Sequence, residues 1–309
     1  MKLFLPVILL VFSSKVFSQN DSLYLFSYFK DNGQDGLHLA YSRDGYSFTA
    51  LKKDSSFLRP VLSKDKLMRD PCIIRGADNN FHLVWTVSWT DGGIGYASSP
   101  DLVNWGKQQY VPVMSHEPTT INAWAPEITY DANTGEYMIY WASTVPGRYP
   151  KTDSSGDGKY NHRMYYTSTK DFKTFNKTQF LYNHDFTVID ATIQKAGDQY
   201  IMFLKDETKL PTPQKNIRIA TSKKINGDYS KPSVPITGNY WAEGPTAIYT
   251  GTEWMVYFDK YTQHKYGAVA SAGLKEWRDV SDKVHFPPGT RHGTVLKISQ
   301  QELDKLLKL

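Results

Sequence analysis

Cysteine is nearly missing from this chain: Cys72 is the only one in 309 residues. One cysteine cannot close an internal disulfide, so stability has to come from packing. Cys72 lies two residues past Asp70 in an apolar run and reads as a small buried hydrophobe. Nothing beside it forms the base and orienting group that a nucleophilic thiol needs. Basic runs are also lacking. The net charge of +5 is scattered along the chain and leaves no footprint for nucleic acid. No apolar run is long enough to span a bilayer comfortably. The run from Leu3 to Phe12 follows Lys2, and Val16 and Ser18 stand at −3 and −1 of a cleavage site before Gln19. Residues 1–18 therefore read as a signal peptide. The mature chain is expected to be exported, secreted or periplasmic, with no membrane attachment after cleavage. Amphipathic helical periodicity is scarce and shows only at 301–309, which disfavours a helix-rich fold.

Aromatic residues, by contrast, make up 14% of the chain, and apolar residues 40%. They fall into repeats. A serine, a polar turn and an aromatic recur as Ser42 to Phe48, Ser98 to Trp105, Ser168 to Phe175, Ser222 to Tyr229 and Ser271 to Trp277. Each follows a short apolar run, the pattern of a turn between two strands. An aromatic-rich run recurs at 23–29, 81–86, 137–141, 200–204 and 254–258. Four of these follow, across hairpin turns such as Gly76-Ala-Asp-Asn, a strand headed by an acid. The unit is four antiparallel strands every 50–60 residues or so, which is the repeat of a propeller blade. The first unit lacks its acid-headed strand, and the last such strand, from Arg291, has no successor. Together they complete one blade. The expected fold is all-β: a single domain over 19–309, a five-bladed β-propeller of four-stranded antiparallel blades, its ring closed by pairing the N- and C-terminal strands.

The acid-headed strands carry the chemistry. They read Arg69-Asp70-Pro71, Trp124-Ala-Pro-Glu127, Ile189-Asp190-Ala and Glu243-Gly-Pro, and a fifth reads Arg291-His292-Gly. Asp70, Glu127, Asp190 and Glu243 stand at spacings of 57, 63 and 53 residues, about one blade each. Inner strands line a propeller axis, so the four carboxylates should meet in one pocket. One Asp-Pro at a strand start is ordinary turn chemistry. Four such heads in matching places are not, because converging carboxylates repel each other and cost stability. Glycoside hydrolysis needs such a set: one carboxyl protonates the leaving oxygen and another activates water or attacks carbon. Strand direction puts the variable loops at the same mouth. The longest, 143–162, holds Arg148, Tyr149 and Tyr160; another is 205–216.

These motifs, in this order and over nearly the whole mature chain, resemble those of glycoside hydrolase family 43. That resemblance implies a five-bladed propeller and inverting hydrolysis of arabinosides, xylosides or some galactosides. Carried over, Asp70 is the general base and Glu243 the general acid. Asp190 is the third carboxylate, orienting Glu243 and raising its pKa. Glu127 falls where many members have aspartate and is taken as a pocket wall or sugar-hydroxyl ligand. His292 resembles a family histidine that faces the axis near a bound calcium. Arg291 is a candidate for a sugar hydroxyl or for pairing with an acid, and Trp89 and Trp124 for stacking on the sugar. The chemistry requires no cofactor, and the partner is an oligo- or polysaccharide of plant type. An exo-acting α-L-arabinofuranosidase is the favoured activity, because the chain ends with the propeller, without the added β-sandwich of many of the family's xylosidases. β-D-xylosidase, endo-arabinanase, exo-β-galactosidase and a non-catalytic carbohydrate-binding propeller are the alternatives. The fructan-cleaving retaining families share Arg-Asp-Pro, but their Asn-Asp-Pro and Glu-Cys motifs are missing here.

Overall fold

Short β-branched and aromatic runs, each ended soon by Gly, Asn or Asp, form short strands. In the computed structural model, which describes residues 23–309, they assemble into five antiparallel sheets. The expected signal peptide lies outside the described residues. The first sheet holds β1 (Leu23–Phe29), β2 (His38–Ser42) and β3 (Thr49–Ala50). The second is β4 (Arg69–Arg75), β5 (Phe81–Thr86), β6 (Ile94–Ser99) and β7 (Gln109–Val111). The third is β8 (Trp124–Asp131), β9 (Glu136–Ser143), β10 (Arg163–Thr169) and β11 (Gln179–Tyr182). The fourth is β12 (Val188–Ala196), β13 (Gln199–Asp206) and β14 (Asn216–Ser222). The fifth is β15 (Glu243–Tyr249), β16 (Trp254–Lys260), β17 (Lys265–Ser271) and β18 (Arg278–Asp279). Finally β19 (Arg291–Ile298) returns to pair with β1, with Leu23 opposite Ile298 and Ser27 opposite Thr294.

That pairing completes the first blade in the order β19-β1-β2-β3. The inner strands β4, β8, β12, β15 and β19 each touch the next, and β19 touches β4. The ring is a closed five-bladed propeller. Five apolar clusters of buried residues fill the spaces between neighbouring blades, with Trp85 and Trp141 among the largest fully buried side chains. Cys72 is buried in one of them and is a free thiol. A short helix, α1 (Gln300–Leu306), follows β19 behind a capping box of Ser299 and Glu302. Its Leu303 and Leu306 pack with Leu23 and Leu25 beside the closing strands.

Two details differ from the repeat pattern. The fourth blade has three regular strands. Its outer segment still bonds to β14, from Ser230 N to Thr221 O, Ser233 N to Ile219 O and Ile236 N to Ile217 O. Pro232 and Pro235 interrupt that segment, and a proline has no N–H for the ladder. The turn hydroxyl is also displaced by one residue in two blades. The positions matching Ser42 are Ser99 and Thr169, which bond Asp101 N and Asp171 N as Ser42 bonds Asp44 N, not Ser98 and Ser168.

Candidate active site

The inner strands share an irregularity that builds the site. Register breaks between Arg69 and Cys72 in β4, Trp124 and Glu127 in β8, Ile189 and Thr192 in β12, and Glu243 and Thr246 in β15. The first extra residue of each break has left-handed backbone: Asp70 at φ 52°, Ala125 at 48°, Asp190 at 53° and Gly244 at 59°. A left-handed non-glycine residue costs about 1–2 kcal/mol. Bulges of this kind re-aim side chains. In three of the four strands they turn two successive residues toward one cavity, Arg69 and Asp70, Trp124 and Ala125, and Ile189 and Asp190, whereas β15 contributes Glu243 alone.

The four acids therefore do not occupy four equivalent places. Asp70 and Asp190 sit at the left-handed position, with His292 of β19 alongside. Glu243 sits one residue earlier, matching Arg69. Glu127 sits two residues later, matching Cys72 and Thr192, and faces the axis one layer deeper. It is buried beneath the cavity, where Thr192 and Thr294 donate hydrogen bonds to its two oxygens at 3.1 Å each. The cavity, of about 320 Å³, is lined by Asp70, Asp190, Glu243, Arg291 and His292 but not by Glu127. The expectation that Glu127 touches sugar is thus corrected: the bulge drops it below the floor. Burial pushes its carboxyl up to about 7.

Asp70 accepts a hydrogen bond from Thr86 Oγ1 at 2.8 Å, and Asp190 accepts one from Gly244 N at 3.0 Å. His292 Nδ1 lies 3.4 Å from Asp70 and 3.9 Å from Asp190. Burial, reinforced by the charges of Glu243 and Asp70, raises Asp190 to about 6. Glu243 behaves otherwise than expected. Burial works to raise it, but Lys205 Nζ stands 3.0 Å from one oxygen and Arg291 Nη2 3.1 Å from the other. These cations outweigh the rest and hold Glu243 below the ordinary glutamate value. They belong to an alternating chain of charge. Asp157 pairs with Lys215, Lys215 with Glu207, Glu207 with Lys205, Lys205 with Glu243, Glu243 with Arg291 and Arg291 with Asp259.

Three carboxylates from three blades on one cavity match what the motif order implies. Residues 20–304 match a family profile described as a probable glycosyl hydrolase domain, of the family 43-related group. The chain belongs to the family 43 glycoside hydrolases. Over 136 residues, 40% of its length, it is 26% identical to an α-L-arabinofuranosidase of Bifidobacterium longum subsp. longum, and the match takes in 12% of that relative. Its fold is similar to that of an α-L-arabinofuranosidase from Clostridium thermocellum. There the TM-score is 0.57 at 14% identity, over 85% of this chain and 91% of the other. It is also similar to an α-L-arabinofuranosidase from Lactobacillus brevis. That match has a TM-score of 0.54 at 17% identity, over 75% and 90% of the two chains.

Within this family 43 pocket, both expected tryptophans reach the lining. Trp124 meets Trp89 edge-on at 5.4 Å, and Tyr160 and His162 flank it at 4.7 and 5.2 Å. One face of Trp89 is covered by the Arg69 guanidinium, 4.3 Å from the ring centroid. Of the long first loop, Tyr160 and Asp157 line the cavity, whereas Arg148 pairs with Glu117 and Tyr149 stacks on Arg163. Lys209 bonds Asp157 at 2.7 Å and ties the two variable loops together. Sequence reasoning missed Arg69, Lys205, Glu207 and His162. Each is a lone charged or polar residue in a strand or loop, with no repeat to mark it. His162 is buried and accepts from Asn122 Nδ2 at 2.9 Å; burial, with the charges of Lys205, Lys215 and Arg163, pushes it down to about 3. Among the described residues no group of three His, Cys, Asp or Glu side chains is arranged to hold a metal ion. His292 faces Asp70 and Asp190 instead, within ion-pair distance of both.

Proposed function

We propose that this protein is an exported, inverting, exo-acting glycosidase that releases α-L-arabinofuranosyl units from plant glycans. The observation that carries the proposal is the convergence of Asp70, Asp190 and Glu243 on one small cavity walled by two variable loops. A floor of Glu127, Thr192 and Thr294 lies beneath it, which suits a terminal sugar more than a threaded chain. The 136-residue sequence similarity to an α-L-arabinofuranosidase supports this choice of sugar.

In this mechanism Asp70 takes a proton from a water that attacks the anomeric carbon. Glu243 gives a proton to the departing glycosidic oxygen, and the configuration inverts. Thr86 fixes the base, and Arg291 fixes the acid. Asp190 lies close enough to Glu243 for their charges to interact and helps it take up a proton. In the free enzyme Glu243 is ionised by Lys205 and Arg291, so the cycle includes proton uptake at Glu243 as substrate displaces part of that pairing. The same ionised pairing favours a second reading, a propeller that binds terminal sugars without cutting them.

The test uses aryl α-L-arabinofuranoside, β-D-xyloside and β-D-galactoside beside an arabinosylated oligosaccharide. Wild type should prefer the arabinofuranoside and release the inverted anomer first, as seen by NMR. Asp70→Asn should lose about 10³-fold or more in kcat/KM on every substrate. Glu243→Gln should lose that much on the oligosaccharide and less on aryl substrates, whose leaving groups need little protonation. Sugar binding without turnover of any substrate would establish the binding reading instead.

A further inference from the structure

Four cationic side chains line the cavity, and three of them are already committed to protein carboxylates. Lys205 pairs with Glu207 at 2.6 Å, Arg291 with Asp259 at 2.5 Å, and His292 faces Asp70 at 3.4 Å. Arg69 forms no ion pair among the described residues. Its single hydrogen bond runs from Nη1 to Asn32 Oδ1 at 3.3 Å, and that oxygen also accepts from Trp89 Nε1 at 3.2 Å. A guanidinium carries five N–H donors in a planar fork. None of the remaining Arg69 nitrogens is sealed in the interior without a partner, so they open toward the cavity.

The side chain is nonetheless held in place. Its guanidinium lies between the rings of Phe29 and Trp89, 4.6 and 4.3 Å from their centroids. Gly33, at φ 78°, lets the loop after β1 press on the arginine stem; a Cβ there would stand 2.9 Å from Arg69 Cγ. Aromatic rings on both faces leave only the edge of the fork for a ligand. An edge of paired N–H groups matches a carboxylate, and Arg is the residue suited to such two-pronged recognition. Asp70, Asp190 and Glu243 are felt by Arg69 only at longer range. The cation is thus held between two rings, partly desolvated and without a close ion pair among the described residues.

We propose that Arg69 forms, with Asn32, a subsite for the carboxylate of a uronic acid next to the sugar that is cleaved. The substrate is then an acidic plant oligosaccharide rather than a neutral one. This rests on the hydrolase reading for its kinetic readout but not for its binding readout. In that subsite the uronate lies at the edge of the Arg69 fork beside the exposed ring of Trp89 rather than against Asp70 and Asp190, which would repel it.

The experiment compares one oligosaccharide, bearing an arabinofuranosyl unit beside a uronic acid, as its free acid and as its methyl ester. In wild type, kcat/KM for the acid should exceed that for the ester about tenfold, and the ratio should fall as NaCl is raised. In Arg69→Met the ratio should approach one, and Arg69→Lys should lie between. A wild-type ratio near or below one overturns the proposal, as does a high ratio that survives in Arg69→Met. The wild-type ratio decides alone should Arg69→Met fail to fold. Should neither form be cleaved, calorimetric affinities of the same pair are read by the same criteria. A preference for the acid without turnover then sustains the subsite while ending the hydrolase reading, and turnover without preference does the reverse.

Discussion

At the scale of single residues, Lys205 decides how Glu243 can act. It is shared between Glu207 and Glu243, while Arg291, His292, Asp190 and Asp259 complete the surroundings of the acid. A general acid works only while protonated, so activity falls as pH rises through its pKa. Lys205 and Arg291 lower that pKa and pull the alkaline limb down. Lys205→Met should move the alkaline limb of kcat/KM up by roughly one pH unit or more. Glu207→Gln frees Lys205 to hold Glu243 harder and should move the limb down. Limbs that stay put in both variants would mean that Glu243 is not the acid.

Glu127 supplies a stability prediction of definite sign. Its folded value of about 7 stands above the ordinary 4.5, so the folded protein binds the extra proton between those values. Stability then falls as pH rises through that window, by roughly 3 kcal/mol once the group is ionised. Glu127→Gln removes the ionisation. Its melting temperature should equal or trail wild type near pH 4.5 and exceed it by several degrees at pH 8. Because Glu127 lies below the cavity, kcat/KM should change less than about tenfold; a loss as large as that of Asp70→Asn would return it to the sugar-binding set.

At the scale of elements, the shared bulge makes a strand into a holder of two functional side chains. Asp70, Ala125 and Asp190 show that a residue with a Cβ is tolerated at the left-handed position. Gly244 is glycine for another reason: a Cβ there would stand 2.4 Å from His292 Cγ. Gly244→Ala should therefore destabilise by about 2–3 kcal/mol through the clash with His292 more than through backbone strain. His292→Ala in the same chain should restore part of the loss, a coupling that a double-mutant cycle by chemical denaturation would measure. Additive losses would put the cost in the backbone. The bulge also explains where the repeat was misread. The recurrence of Asp and Glu at blade spacing was visible in the sequence, but Glu243 leads its bulge, Asp70 and Asp190 sit in theirs, and Glu127 follows. A spacing that varies by one or two residues per blade does not distinguish these places.

At the scale of the whole molecule, the two chain ends make one blade. Without residues 291–309, β1 would have an unpaired inner edge, α1 would no longer cover Leu23 and Leu25, and the cavity would lack Arg291 and His292. A chain ending at Thr290 should be protease-sensitive and should show no cooperative thermal transition, and a synthetic 291–309 segment should restore some of it. A cooperative transition like that of the full chain would show that four inner strands close without the fifth.

The sequence by itself determined the blade count, the way the ring closes and that acids from several blades head toward one axis. Those follow from local periodicity: short strands, turn residues at fixed offsets, and an acid at the head of four of the five inner strands. Only the tertiary structure decided which acid is paired, which is sunk below the floor and which cation is left without a partner. The ion pairs of Glu243 come from Lys205 on β13 and Arg291 on β19, and Arg69 meets Asn32 across a different blade. Charge and burial at such a place are sums over several blades at once, and no stretch of one blade contains them.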